Sequence, residues 1–368
     1  MGQDVVKVAV VQLPPVLLDR DGTIKTVVDA VSEVASAGAG LVVFPETFVP
    51  GYPVWIWGLR PQGDYDTTSE IHAQLLANSV DLTRDDLRPV QEAAASHGVV
   101  VVCGVHEREG SFSRATIYNT LVTIGCDGTV LNRHRKLVPT NPERMIWGQG
   151  DASGLRVVDT PFGRLGGLIC WENYMPLARY TLYAEGVQIY VASTWDEGEG
   201  WLATMRHIAS EGRCWVIGSG CALNSDDIPP ALPARNALFP DRDTWLNSGD
   251  SVILDPHGNV VAGPCTASTA SCTPTSTRLC PLAPIGRWTS PDTMGAPTSS
   301  PSRWTAHHGH QLPSQRRSRT GVAHARRRGQ PTLLGPAGCD SGPPRMRLLT
   351  TPPGTERRRG TRQRNAAR

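Results

Sequence analysis

The sequence predicts an α/β fold on three observations. Short β-branched runs alternate with helical patterns, an amphipathic helix separates the first two runs, and the periodicity stops after Pro264. KVAVVQL (7–13) reads as the first strand. In TIKTVVDAVSEVASAG the apolar residues Ile24, Val27, Val28, Val31 and Val34 recur at helical spacing, and Gly38 ends the pattern. LVVFPE (41–46) reads as a buried strand, 84–96 as a helix and VVVVCGVHE (99–107) as a third strand. YNTLVTIGCDGTVLNRHRK (118–136) reads as a hairpin turning at Asp127 and Gly128, because Asp-Gly supplies the positive φ angles of a tight turn. RLGGLICWE (164–172), QIYVAS (188–193), CWVIGSG (214–220) and the hairpin SVILDPHGNVVAGP (251–264) supply further strands. Helices are expected near 175–185 and 200–211.

Composition divides the chain at the same place. Residues 265–368 hold 17 of the 36 basic residues, all Arg, and only three of the 34 acidic ones, Asp292, Asp340 and Glu356. The body therefore carries a net charge near −12 and the tail near +14, and the overall +2 describes neither. No stretch approaches the roughly 20 apolar residues of a membrane span. The start, MGQDVVKVAVVQL, lacks a basic segment before an apolar run. A cytoplasmic protein without membrane contact is the expectation. The cysteines of the body, at 103, 126, 170, 214 and 221, show no disulfide-framework spacing, which suits a reducing compartment.

Three polar residues stand at the ends of apolar runs: Glu46 after LVVFP, Lys136 after 130–135, and Cys170 after LGGLI. In α/β sheets, strand ends are where side chains converge on a crevice. Taken singly, each has a plain structural explanation: a carboxylate capping a turn, a surface lysine, a cysteine buried as a small hydrophobe. Taken together with their neighbours they point to one site. FPETFVPGYP (44–53), HRKLVPTNPERMIWGQGD (134–151) and GGLICWENYMPL (166–177) resemble the three signature blocks of the nitrilase family, in order, and the CWEN and PERMIWGQGD stretches resemble its nitrilase branch. HIASEGRCWVIG (207–218) and the 251–264 hairpin add family-like strands, so the resemblance covers 5–264.

The resemblance implies an αββα sandwich of two mixed sheets flanked by helices, a homo-oligomer, and hydrolysis of an organic nitrile to a carboxylic acid and ammonia. It also implies roles for the residues. Cys170 is the nucleophile, because a thiolate attacks a nitrile or amide carbon far better than water does, although a free thiol has a pKa of ~8.5. Glu46 takes the thiol proton and later activates water, and Lys136 stabilises charge developing on the substrate. Glu143 resembles the family's additional glutamate, which holds the lysine. Two carboxylates alone would raise the thiol pKa, so Lys136 is the offsetting charge. The backbone N–H of Trp171 is the natural second donor to the developing anion. Tyr52, Trp57, Trp147, Trp171 and Trp195 are candidates for an apolar pocket wall, with ordinary core packing as the alternative. No metal or organic cofactor is expected: the histidines fit no zinc pattern, and GQGDASG and GEGW lack phosphate-loop form.

Two domains are thus expected, a hydrolase domain over 1–264 and a disordered tail over 265–368 rich in Arg, Pro, Ser and Thr, too poor in apolar surface to offset the entropy of ordering. The tail departs from the family pattern at Cys265 and has the composition of a G+C-rich gene read out of frame. CTASTASCTPTST (265–277) can be encoded by codons that, read one nucleotide earlier, give LHREHGILYADID, an acidic, strand-containing stretch of the family kind. A single-nucleotide frameshift near codon 264 is therefore expected. The competing reading is a genuine basic tail whose Arg clusters neutralise nucleic-acid phosphates on a non-catalytic protein. An amidase or carbamoylase is the alternative activity, since Glu, Lys and Cys serve carbonyl and nitrile carbons alike, and a cyanide-acting enzyme comes third.

Overall fold

The computed structural model describes residues 5–266 and, as backbone alone, 279–286. Its elements in chain order are β1 (Val5–Val11), α1 (Arg20–Ser36), β2 (Ala39–Val43), α2 (Tyr65–Asn78), α3 (Arg88–His97), β3 (Val100–Arg108), β4 (Ile117–Ile124) and β5 (Val130–Arg135). These are followed by β6 (Val158–Thr160), β7 (Gly163–Ile169), α4 (Pro176–Ala184), β8 (Ile189–Thr194), α5 (Glu199–Gly212), β9 (Trp215–Gly220) and β10 (Ala222–Asn224). The short α6 (Arg235–Leu238), β11 (Trp245–Leu254), β12 (Val260–Thr266) and β13 (Leu279–Gly286) complete the described part.

The strands form two mixed sheets, ordered β13-β1-β2-β3-β4-β5 and β10-β11-β9-β8-β7-β6, with β12 paired to β11. Alternation of side chains along each strand builds three apolar layers from these two sheets. Val6, Val8, Val10, Leu41, Val43, Val100 and Val102 of the first sheet meet Leu165, Ile169, Ile189, Val191, Ile217 and Ile253 of the second. The intervening residues face outward. Ala9, Val11, Val42 and Val101 pack under Val27, Val31 and Val34 of α1 and Val90 and Ala94 of α3. Leu168, Tyr190, Ala192 and Val216 pack under Leu182 of α4 and Met205 and Ile208 of α5. Continuous β-branched runs such as VVVV follow from this arrangement, because a strand covered on both faces has no polar side. The result is the expected αββα sandwich.

Several elements differ from the sequence expectation. The helix expected over 84–96 begins at Arg88, after a 3-10 turn at Leu82–Arg84 and a left-handed Asp85 with φ 57°. Pro89 in the first turn explains the start, since proline is tolerated there and not further in. In the β4–β5 hairpin only Gly128 takes a positive φ, 83°; Asp127 instead accepts bonds from the backbone and hydroxyl of Thr129. Helix α2 and the short β6 and β10 carry no strong periodicity and were not expected. In the tail, β12 runs on to Thr266 and β13 pairs antiparallel with β1, so these segments are strands where disorder was expected. Backbone pairing to a free sheet edge requires no apolar pattern. The rest of the tail, including the Arg clusters, lies outside the described residues. No helix among the described residues is long and apolar enough to cross a membrane.

Candidate active site

Glu46, Lys136, Cys170 and Trp195 each follow the C-terminal end of a strand, β2, β5, β7 and β8 respectively. The loop carrying Glu46 crosses close over β3. A Cβ on Gly104 would sit 2.5 Å from the Thr47 nitrogen and inside van der Waals contact of the Pro45 carbonyl, so glycine is required there. Lys136 is fixed by its own backbone, whose N–H donates to the Asn119 carbonyl at 2.7 Å.

These placements bring the charged groups into one cluster. The Lys136 ammonium donates to Glu46 Oε1 and to Glu143 Oε2, each at 2.8 Å. The Asn119 amide donates to Glu46 Oε1 at 2.6 Å, and the Trp195 backbone N–H to Glu46 Oε2 at 2.8 Å. Glu143 accepts a bond from the Tyr52 hydroxyl at 2.9 Å and one from the Thr140 N–H at 2.6 Å. Glu46, Lys136, Glu143 and Cys170 are all buried.

Burial and charge set the ionisation of the cluster. Burial pushes the Glu46 carboxyl above its ordinary value, Lys136 opposes that shift, and Glu143 adds to it. Burial disfavours the Lys136 ammonium, but Glu46, Cys170 and Glu143 outweigh it and hold its pKa above the usual lysine value. The Cys170 thiol is raised, first by burial and then by Glu46, while Lys136 and a hydrogen bond with the Thr194 side chain pull the other way. Lys136 is therefore the offsetting charge the sequence suggested, though it does not overcome burial. Tyr52 is also raised, by burial and then by the carboxylates, so it stays a phenol and donates to Glu143.

Cys170 opens a 3-10 turn directly after β7 and adopts a left-handed φ of 51°. A non-glycine residue there costs on the order of 1 kcal/mol and persists only where surrounding contacts impose it. The Asn173 side chain imposes one by donating to the Cys170 carbonyl at 2.7 Å, and Tyr190 in turn donates to Asn173 at 2.8 Å.

A cavity of about 280 Å³ opens over Cys170 and Glu143. Its aromatic wall consists of Tyr52, Trp57, Trp171 and Trp195, and Asn141, Asp196, Glu197 and Asn247 supply polar lining. Trp195 stacks on Tyr52 with ring centroids 4.3 Å apart. Of the expected wall residues only Trp147 is elsewhere. It lies behind the lysine, with its indole N–H bonded to His106 Nδ1 at 3.0 Å and its ring 5.5 Å from Lys136 Nζ. That indole needed a buried acceptor, and His106, a neutral imidazole whose pKa burial lowers to about 3, provides it. Tyr52 proves to be a hydrogen-bonding partner of Glu143 as well as a wall. Asn119, Asn173 and Tyr190 were not singled out from the sequence. Asn119 is the one carboxamide in β4, among Tyr118, Thr120 and Thr123, and that residue type is the one signal that could have revealed it.

A buried thiol that lines a cavity with Glu143, beside a lysine held between two carboxylates at the C-terminal strand ends of an αββα sandwich, has the chemistry that thiol-dependent hydrolysis requires. The family pattern described as carbon-nitrogen hydrolase matches residues 7–288, and the chain belongs to that family. It is a hydrolase of carbon–nitrogen bonds other than peptide bonds, and its relatives place it in the nitrilase branch. It is 39% identical over 264 residues to the aliphatic nitrilase of Sinorhizobium fredii, covering 70% of this chain and 82% of that one. It is likewise 39% identical over 266 residues to nitrilase 1 of Arabidopsis thaliana, covering 70% and 75%. Among solved structures, a carbon-nitrogen hydrolase from Helicobacter pylori shares the fold with TM-score 0.54 at 17% identity, covering 77% of this chain and 89% of that one. An amidase from Nesterenkonia sp. does so with TM-score 0.53 at 17% identity, covering 78% and 92%.

Proposed function

We propose that the chain hydrolyses an organic nitrile to the carboxylic acid and ammonia, with Cys170 as nucleophile. The observation that carries this reading is the Lys136 ammonium held between Glu46 and Glu143, all three interacting electrostatically with Cys170, which lines one cavity together with Glu143. Cys170 Sγ attacks the nitrile carbon, a C–S bond forms, one C–N π bond breaks, and the thiol proton passes through Glu46 to the nitrogen, giving a thioimidate. Water, deprotonated by Glu46, adds to that carbon; ammonia leaves and a thioester remains. A second water releases the acid and returns a proton to the sulfur. Lys136 and the Trp171 N–H stabilise the charge that develops on the substrate heteroatom. Glu143 holds Lys136 and orients substrate. The nitrilase relatives support a nitrile over an amide, and the aromatic wall of Trp57, Trp171 and Trp195 suits an aryl or alkyl side chain.

Ammonia release from a panel of nitriles and the matching amides tests this, with Cys170→Ala as control. Turnover of nitriles that Cys170→Ala abolishes is expected. Turnover of amides alone assigns the chain to the amidase reading, which the same Glu, Lys and Cys set would serve, and full activity in Cys170→Ala refutes the nucleophile.

The same reading includes a cytoplasmic setting, which the five free thiols of the body favour, whereas the homo-oligomer implied for the family is not carried to this chain, whose C-terminal segment departs from the family pattern. It also includes an out-of-frame origin for 265–368, supported by the abrupt change to Arg-rich composition. The nucleotide sequence around codon 264 decides the last point: an intact frame, with this tail found by mass spectrometry in the native protein, would overturn it. Salt-sensitive nucleic-acid binding by the intact chain would favour a functional tail instead.

A further inference from the structure

A single carboxylate joins the two halves of the site from behind. Glu172 does not line the cavity. Its Oε2 accepts the backbone N–H of Ile169, the residue before Cys170, at 2.8 Å, and its Oε1 accepts the backbone N–H of Leu137, the residue after Lys136, at 2.6 Å. His134 Nε2 lies 2.9 Å from Oε2 and 3.2 Å from Oε1. Against an ionised Glu172, whose oxygens only accept, the Nε2 of His134 is the donor of this pair.

The neighbours of these atoms matter more than their number. Ile169 ends β7 in one sheet and Leu137 follows β5 in the other, so the three bonds bridge the sheets at the level of the reacting groups. His134 and Lys136 are two residues apart on one extended segment and therefore share a face. Glu172 is 0% exposed and His134 1%, so no water can replace a bond that is lost. A buried carboxylate is a costly way to fill space, and an apolar side chain of similar volume would serve packing alone at least as well. What an apolar side chain cannot do is hold three donors from two sheets in one geometry.

We propose that Glu172, with His134, is a positioning residue that fixes the Cys170 turn relative to Lys136 without touching substrate. It rests on the roles given above to Cys170 and Lys136. The carbon under attack must lie near Sγ while its heteroatom reaches the ammonium, and a slip of about 1 Å between the two costs on the order of 100-fold in rate. Glu172 also restrains the left-handed Cys170 from its N-terminal side, as Asn173 does from the carbonyl.

The test is steady-state kinetics on the full chain, with active sites counted by stoichiometric alkylation of the thiol. In Glu172→Gln an amide NH₂ must face at least one of the three donors. Its kcat is expected to fall on the order of 10- to 100-fold while KM stays within about twofold. His134→Leu removes the side-chain donor and should lose kcat similarly, whereas His134→Gln keeps a donor and should recover most of it. The rate of Cys170 alkylation at fixed pH, which needs no turnover, should change in the same order. A purely structural role predicts lower melting temperatures with kcat per active site within about twofold of the parent in all three variants, and that result overturns the proposal. If Glu172→Gln does not fold, equal kcat in His134→Leu and His134→Gln overturns it. Turnover surviving in Cys170→Ala would instead undo the reading on which the proposal rests; an inactive Cys170→Ala beside a fully active Glu172→Gln undoes only the positioning role.

Discussion

Lys136 and Glu46 meet across 2.8 Å with their side chains 1% and 0% exposed, one following β5 and the other β2 of the same sheet. Glu143 completes the arrangement at 2.8 Å from the same ammonium. One cation therefore pairs with two buried carboxylates.

Lys136→Ala is expected to abolish turnover and to cost about 3–5 kcal/mol of stability, because it leaves buried carboxylates uncompensated. Urea denaturation at neutral pH measures the loss. The sign of its pH dependence follows from the folded-state pKa of Lys136, which is raised above the ordinary 10.5. The stabilisation is fully present below 10.5 and fades as pH rises beyond it towards the folded value. The gap between parent and variant should thus hold constant across neutral pH and narrow only in strong alkali. A surface lysine would show no such gap at any pH.

Glu46→Gln separates charge from proton transfer. Burial is the largest cause of the raised Cys170 pKa and the Glu46 carboxylate is the next, so removing that charge lowers the thiol pKa. Alkylation of Cys170 in Glu46→Gln should therefore titrate at lower pH than in the parent, while nitrile turnover is lost for want of the base. A variant that alkylates at the parent's pH, or that still turns over, contradicts the assigned role.

Tyr52→Phe keeps the ring that stacks on Trp195 and removes the hydroxyl that donates to Glu143. An unsatisfied buried acceptor costs about 1–3 kcal/mol. Thermal unfolding should register that loss. The rate should fall more than the affinity for substrate, since every ring of the aromatic wall remains, with Trp57 losing only a 3.3 Å acceptor, while Glu143 loses a donor that holds it.

Gly104→Ala places a methyl group against the backbone of Pro45 and Thr47 on either side of Glu46. Backbone cannot rotate aside as a side-chain tip can, so the loop must move. Loss of most activity is expected with a destabilisation of about 1–3 kcal/mol, measured by the same assays. Gly98→Ala, where nothing lies within 4 Å although φ is 65°, is the comparison that isolates backbone strain from this clash.

Residues close together in the sequence were the legible ones. β-branched runs marked both sheets, because strands covered on two faces must be apolar throughout, and Val6, Val8 and Val10 against Ala9 and Val11 follow from the two-residue period. Glu46, Lys136 and Cys170 stood out as polar residues closing apolar runs, with local motifs around each. Helix α2 did not stand out, since only Ile71 and Leu75 of its residues are buried and a stripe that narrow leaves little periodicity.

What the sequence alone determined was the set of chemically capable residues, their order and an α/β fold, because these depend on side-chain type and on periodicity along the chain, whereas the two-sheet sandwich was implied by the family resemblance. Tertiary structure decided which distant groups share a hydrogen bond. Only folding brings Asn119 to Glu46, Tyr52 to Glu143 and Glu172 to both Ile169 and Leu137, across separations of 73, 91 and 35 residues for Asn119–Glu46, Tyr52–Glu143 and Glu172–Leu137. It moved Trp147 from the pocket wall to a place behind the lysine for the same reason. Strand alternation fixes which side of a sheet a residue faces, whereas its partner there is set by how two sheets pack, and no local pattern encodes that.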